Sequence, residues 1–163
     1  MTLPLRLTVD TVDLTLRRAV EADVPSIVAL LAADQLGSRR EGIRDKSDAL
    51  AYLQAFRAID ADANHVLIVA VREDTVVATL QLSFLPGLAR RGSVRAQVEA
   101  VRVAADLRNR GVGEAMMTWV IDESRRRGCS LVQLTTDKHR LDAQRFYARL
   151  GFAATHEGMK LLL

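Results

Sequence analysis

The stretch Gln97–Thr118, QVEAVRVAADLRNRGVGEAMMT, limits what this chain can fold into more than any other. It reads as a β-branched strand, a short turn, a basic glycine loop and the opening turns of an amphipathic helix. From Arg108 to Gly113 the loop runs R-N-R-G-V-G. Gly111 and Gly113 stand where a Cβ would crowd an incoming ligand, and glycine permits close approach. A helix starting there points unsatisfied N–H groups at the loop, so an anion meets several donors and a favourable dipole. Arg108 and Arg110 add mobile positive charge. Two glycines two apart also serve ordinary turns, so the motif alone leaves a bland turn beside a pyrophosphate cradle. The strand before, the helix after and the arginines within favour the cradle.

The rest of the chain narrows the class. A length of 163 residues predicts one domain with a substantial core. Aromatics make up only 4%, which argues against base-stacking platforms for single-stranded nucleic acid. A net charge of +3 suits an anionic ligand and falls short of a dedicated DNA surface. Cys129 is the sole cysteine, which excludes an intramolecular disulfide and a cysteine-based zinc cluster. It opens an apolar strand and reads as a structural thiol rather than a nucleophile. His65, His139 and His156 show no metal-ligand spacing, so no metal is expected. No long apolar run lies between Met1 and Arg18, and no stretch has the length of a membrane span; the expectation is a cytoplasmic protein without membrane partners.

Along the chain, Leu14–Ala19 predicts a first strand. Asp23 stands as the N-cap of a helix with Pro25 in its first turn, and Gly37 ends that helix. Ser38–Lys46 reads as a loop, and a second helix follows from Ser47. Glu41, Asp45 and Asp48 in this region are open to two readings, attraction of an amine or a solvated surface. The apolar run His65–Val71 predicts a central strand. Glu73 and Asp74 turn it into Thr75–Phe84 as a hairpin, closed by Pro86 and Gly87. Leu88–Ser93 reads as a basic loop. After the glycine loop, Val112, Ala115, Met116, Trp119 and Val120 form one buried helical stripe, and Arg125, Arg126 and Arg127 form a solvated helix end. Ser130–Thr136 is a further strand and Leu141–Leu150 a final helix capped by Gly151. Phe152–His156 and Met159–Leu163 are expected as two closing β segments. This order indicates a mixed α/β fold, a sheet with helices on both faces.

Two motifs carry a family resemblance. Arg108–Gly113 matches the Q/R-x-x-G-x-G/A loop, and F-Y-A-R-L-G-F over Phe146–Phe152 matches the FY-x-x-x-GF helix end, in the order and separation seen in GCN5-related N-acetyltransferases. The chain resembles that family over nearly its whole length. The resemblance implies a mostly antiparallel twisted sheet of about six to seven strands with about four helices, splayed between the fourth and fifth strands to admit acetyl-coenzyme A. It implies that the fourth strand, Val98–Ala104, offers backbone groups at Val101, Arg102 and Val103 to the pantetheine arm. The amides of Arg108, Asn109, Arg110, Gly111, Val112, Gly113 and Glu114 would hold the pyrophosphate, and Ala143 and Phe146 of the second motif would border the cofactor. Where the family often has Asn three residues before the alanine matching Ala143, this chain has Arg140. A positive side chain there, or at nearby Lys138, could reach a cofactor phosphate instead.

Acetyl transfer to an amine needs a neutral nucleophile, a polarised thioester and a proton for the departing thiolate. Glu99 is the candidate base: strand parity puts it with Val101 and Val103 unless a bulge intervenes, and Gln97 lies on its face. The other reading of Glu99 is a rim carboxylate paired with Arg95 or Arg102. Tyr147 is, by resemblance, the general acid near the thioester sulfur; its other reading is a core aromatic. The function expected is direct transfer from acetyl-coenzyme A, as co-substrate, to a primary amine on a small molecule or peptide. Competing readings are a non-catalytic acyl-coenzyme A sensor, a nucleic-acid module supported only by the arginines, and a dinucleotide-binding fold, disfavoured because Met116 stands at the third glycine of G-x-G-x-x-G. Family habit also implies a homodimer.

Overall fold

Two tight turns build the first half of the sheet. β1 (Leu5–Val9) joins β2 (Val12–Arg18) through Asp10 and Thr11, and β3 (His65–Arg72) joins β4 (Thr75–Pro86) through Glu73 and Asp74. Both residues of each turn are left-handed, at φ 46° and 66°, as two-residue hairpin loops matching the strand twist require. The structure, a computed structural model, describes residues 2–33 and 41–162. By internal contacts the chain forms two compact units, Met1–Gln133 and Leu134–Leu163.

In the first unit the strands stand in sequence order, with β5 (Val94–Val103) and β6 (Cys129–Leu134) completing a six-stranded sheet. The pairs from β1 to β5 are all antiparallel. Between β5 and β6, Ser130 bonds to Val94 and Gln133 to Gln97, each 36 positions apart; a constant offset is the mark of parallel neighbours. The sheet is therefore mixed and mostly antiparallel, as expected. α4 (Val112–Arg126) is the crossover between that parallel pair.

The helices divide between the faces. α1 (Val24–Ala32) and α2 (Lys46–Ala61) bury Val24, Ile27, Val28 and Phe56 against Val69. The spacing of Val24, Ile27, Val28 and Leu31 supplies the apolar stripe. The opposite face carries Leu80, Leu82, Phe84, Ala96 and Val98, all buried, and α4 packs on β4 and β5. Arg127, just past α4, lays its guanidinium 4.0 Å above the Phe84 ring.

Several expectations are corrected. The first strand is preceded by another, β1, whose Leu5, Leu7 and Val9 alternate with exposed residues. Asp23 sits at the N-cap of α1, but its carboxylate caps nothing there; it accepts from Val20 N–H and Arg17. α2 starts one residue early because Asp45 accepts from the amides of Ser47 and Asp48. The basic loop contains a single turn, α3 (Ala89–Gly92), in which Arg90 and Arg91 are left-handed. Gly37 lies outside the described residues.

The second unit contains α5 (Leu141–Arg149). Residues 152–162 form no strand, against the expected closing β segments. Ala153, Ala154 and Gly158 give a pleated ladder little to pack, and a strand needs a partner to exist.

Candidate functional site

β5 leads into the glycine loop through a short 3-10 turn, Ala105–Leu107, anchored by fully buried Leu107. Asn109 and Gly111 then take left-handed angles, φ 60° and 83°. Gly111 is the N-cap of α4, and the helix ladder begins with Ala115 N–H donating to Gly111 C=O at 2.9 Å. The N–H groups of Val112, Gly113 and Glu114 precede that first bond, so they form the donor end of the helix. A Cβ on Gly111 would lie 2.8 Å from Val9 Cγ1, so β1 forms the inner wall of the loop.

The loop arginines are less mobile than their sequence suggests. Arg110 Nε donates to Asp10 Oδ2 at 2.8 Å and its Nη2 to Asp10 C=O at 3.1 Å. Arg108 Nε donates to Val103 C=O at 3.1 Å. The tip of the β1–β2 hairpin thus braces the loop. Sequence reasoning missed Val9 and Asp10 as loop-holding residues; the Leu5–Leu7–Val9 alternation was the available signal.

β5 carries a second feature that positions side chains. Glu99 pairs with Gln81 and Arg102 with Thr79, so Ala100 and Val101 together oppose Leu80. This is a β-bulge, with Ala100 at φ 55°. The bulge overturns simple alternation: Gln97, Glu99 and Arg102 share the face of α1 and α2, while Val101 and Val103 turn to the other face. Glu99 is exposed and, among the described residues, has no ion-pair or hydrogen-bond partner. The rim pair with Arg95 or Arg102 is therefore not formed. Gln97 accepts from Gln133 Nε2 at 2.7 Å, and Ser83 shares a 2.8 Å hydrogen bond with His65 Nδ1.

Other charged groups serve structure. Glu41 accepts from the Tyr52 hydroxyl at 2.8 Å, and Asp48 pairs with Arg44. Arg126 and Arg127 both donate to Glu123, whose side chain is only 7% exposed. Its pKa is lowered, first by the Arg126 hydrogen bond and against the opposing effect of burial. Arg125 and Arg126 stay exposed, as a solvated helix end should, while Arg127 is half-buried between Glu123 and Phe84. Burial pushes the Cys129 thiol up, which disfavours a thiolate nucleophile.

In the second unit, Asp137 Oδ1 accepts from His139 N–H at 2.9 Å, and Arg140 N–H donates to Asp137 C=O. Lys138 C=O accepts from Gln144 Nε2 at 2.9 Å. These bonds shape the entry to α5, which carries Ala143, Phe146 and Tyr147. At its end Phe152 N–H donates to Tyr147 C=O and Gly151 N–H to Ala148 C=O, with Gly151 at φ 89°. That is a Schellman cap, and the Tyr147–Phe152 ring contact at 5.8 Å is its apolar clasp. The F-Y-x-x-x-G-F motif therefore has a local structural cause.

Comparison with known proteins decides the family. The Acetyltransferase (GNAT) family profile matches residues 30–152. The chain belongs to the GNAT acetyltransferase family. This GNAT protein is an N-acetyltransferase that depends on acetyl-coenzyme A. It is 28% identical over 141 residues to aminoalkylphosphonate N-acetyltransferase of Salmonella typhimurium, covering 86% of each chain. A crystal structure of a transcriptional regulator from Bacillus halodurans C-125 is 44% identical, with a TM-score of 0.87 over 92% of this chain and 99% of that one. A Trypanosoma brucei acetyltransferase is 27% identical, with a TM-score of 0.76 over 93% of this chain and 100% of that one.

Proposed function

We propose that this GNAT enzyme moves the acetyl group of acetyl-coenzyme A directly to a primary amine, with both substrates bound together. The observation that carries this reading is the donor end of α4 behind the left-handed Gly111, walled by Val9. Arg108 N–H already donates to Ala105 C=O at 3.4 Å, which leaves the amides from Asn109 to Glu114 to suit a pyrophosphate, and a closed inner wall with an exposed outer side suits a ligand that lies across the loop. The bound co-substrate supplies the acetyl thioester.

The remaining work belongs to the chain. Backbone groups of Val101, Arg102 and Val103 orient the pantetheine arm. Glu99, an exposed carboxylate with no protein partner among the described residues, accepts the proton of the incoming ammonium directly or through water. Tyr147 returns a proton to the leaving sulfur. Lys138 and Arg140 offer positive charge to a phosphate, and Ala143 and Phe146 border the cofactor. The name of the Salmonella typhimurium relative supports a small amine as the acceptor. The Bacillus halodurans neighbour, named a transcriptional regulator, favours one second reading, a non-catalytic acyl-coenzyme A sensor.

The test is release of free coenzyme A thiol from acetyl-coenzyme A, with a panel of small amines and with a lysine-rich peptide. Amine-dependent release supports transfer over the sensor reading, and the better acceptor shows whether a small amine or a peptide is used. Saturable binding of acetyl-coenzyme A without release to any amine would sink direct transfer.

A further inference from the structure

We infer that the acceptor is an acidic peptide, whose N-terminal ammonium sits on Glu99 and whose fourth side chain, a carboxylate, sits against Arg95. The inference rests on the acetyl-transfer reading and deepens it, choosing a peptide over a small amine. On that reading the two halves of β5 have different tasks. Val101–Val103 and the glycine loop beyond them serve the cofactor, which leaves Val94–Glu99 as the half facing the acceptor. Across that half the pairing with β4 is unbroken, from Leu85 opposite Arg95 to Gln81 opposite Glu99. Arg95, Gln97 and Glu99 therefore alternate onto one face, while buried Ala96 and Val98 take the other. Arg95 and Glu99 lie about 14 Å apart at the usual strand rise, a span that four extended peptide residues cover.

Both ends of this track are open. Glu99 and Arg95 are exposed, and neither has a hydrogen-bond or ion-pair partner among the described residues. Between them Gln133 Nε2 donates to Gln97 Oε1 at 2.7 Å. The pair's other atoms, Gln97 Nε2 and Gln133 Oε1, make no bond among the described residues, so one donor and one acceptor stand midway. A peptide unit supplies the matching C=O and N–H, whereas a small alkylamine fills only the Glu99 end and supplies neither. The positive charge continues past Arg95. Turn α3, which leads into β5, holds Arg90 and Arg91, both exposed and unpaired among the described residues. Three guanidiniums at this end repel a polycationic amine and draw a carboxylate, which a guanidinium fork grips at two oxygens. Glu99 at the other end does the reverse, so the track also fixes the direction in which the peptide lies.

Steady-state kinetics of the full chain at saturating acetyl-coenzyme A and low salt test this. The acceptors are the C-terminal amides Ala-Ala-Ala-Glu-Ala, Ala-Ala-Ala-Gln-Ala and Ala-Ala-Ala-Lys-Ala, with propylamine beside them. The native protein is expected to favour the glutamate peptide in kcat/KM, by about threefold over the glutamine peptide and about tenfold over the lysine peptide, the scale of ion pairs open to water. Added salt should shrink both preferences. Arg95→Gln should bring the glutamate-to-glutamine ratio near unity, and Arg95→Glu should turn the preference towards lysine. A loss from disturbed folding is common to all the peptides and cancels in these ratios. Equal use of the peptides by the native protein would overturn the inference, as would ratios that Arg95→Glu leaves unmoved, or thiol release with propylamine alone. No release with any acceptor, propylamine included, would instead count against acetyl transfer itself.

Discussion

Glu123 is nearly enclosed near the end of α4, where Arg126 and Arg127 hold it ionised. Asp23 is similar: burial would raise its pKa, but Arg17 and the Val20 amide outweigh that and lower it. A carboxylate lowered in the folded state contributes stability above its unfolded pKa and loses it as pH falls through the folded value. Both contributions should therefore be complete above the ordinary carboxylate range and fade in the acid limb below it. Glu123→Gln is expected to cost about 1–3 kcal/mol near neutrality, the worth of hydrogen bonds to a charged group, and to flatten the acid limb in urea titrations. A variant as acid-sensitive as the native protein would remove Glu123 from this role. At the proposed site, Tyr147→Phe should lower turnover by about a hundredfold or more, the usual worth of a general acid, with acetyl-coenzyme A affinity largely kept. Unchanged turnover would assign the acid elsewhere.

At the scale of elements, the β1–β2 hairpin and the two glycine caps lend themselves to comparison. Gly111 and Gly151 are both left-handed, but a Cβ at Gly151 meets nothing within 4 Å, whereas one at Gly111 strikes Val9. Gly151→Ala should cost about 1 kcal/mol through its backbone alone. Gly111→Ala should cost more, and Val9→Ala in the same chain should recover the difference in thermal unfolding. Additive losses would mean that β1 does not wall the loop. The elements show what could be read from sequence. The glycine loop, α4 and the Gly151 cap were legible because glycine, apolar period and helix ends are local signals. β1 was not, since its turn is Asp10–Thr11, without the glycine that usually marks a two-residue hairpin. The bulge at Ala100 was equally hidden: nothing in V-E-A-V-R-V states which residue will be left out of the ladder, and only pairing with β4 decides it. The closing segments failed in the other direction, as apolar residues near Met159 suggested strands that no partner completes.

For the whole molecule, family membership and a mixed, mostly antiparallel sheet agree with the order of elements read from the chain, while the acceptor depends on side chains whose faces a register sets. Among the described residues no helix is long and apolar enough to cross a membrane. On the proposed reading, the N-terminus of α4 holds the pyrophosphate of acetyl-coenzyme A. Gly111 is a poor probe of it because any side chain there also disturbs Val9. Gly113 is better: it lies in the first turn of α4, where an aspartate favours the helix dipole and opposes a bound phosphate. The most direct measurement is calorimetric titration of acetyl-coenzyme A into the native protein and Gly113→Asp, with thermal unfolding of both as a check on folding. Saturable binding to the native protein is expected, with a loss of about tenfold or more in affinity for a variant that still unfolds cooperatively. Equal affinity of the two proteins for acetyl-coenzyme A would contradict that reading.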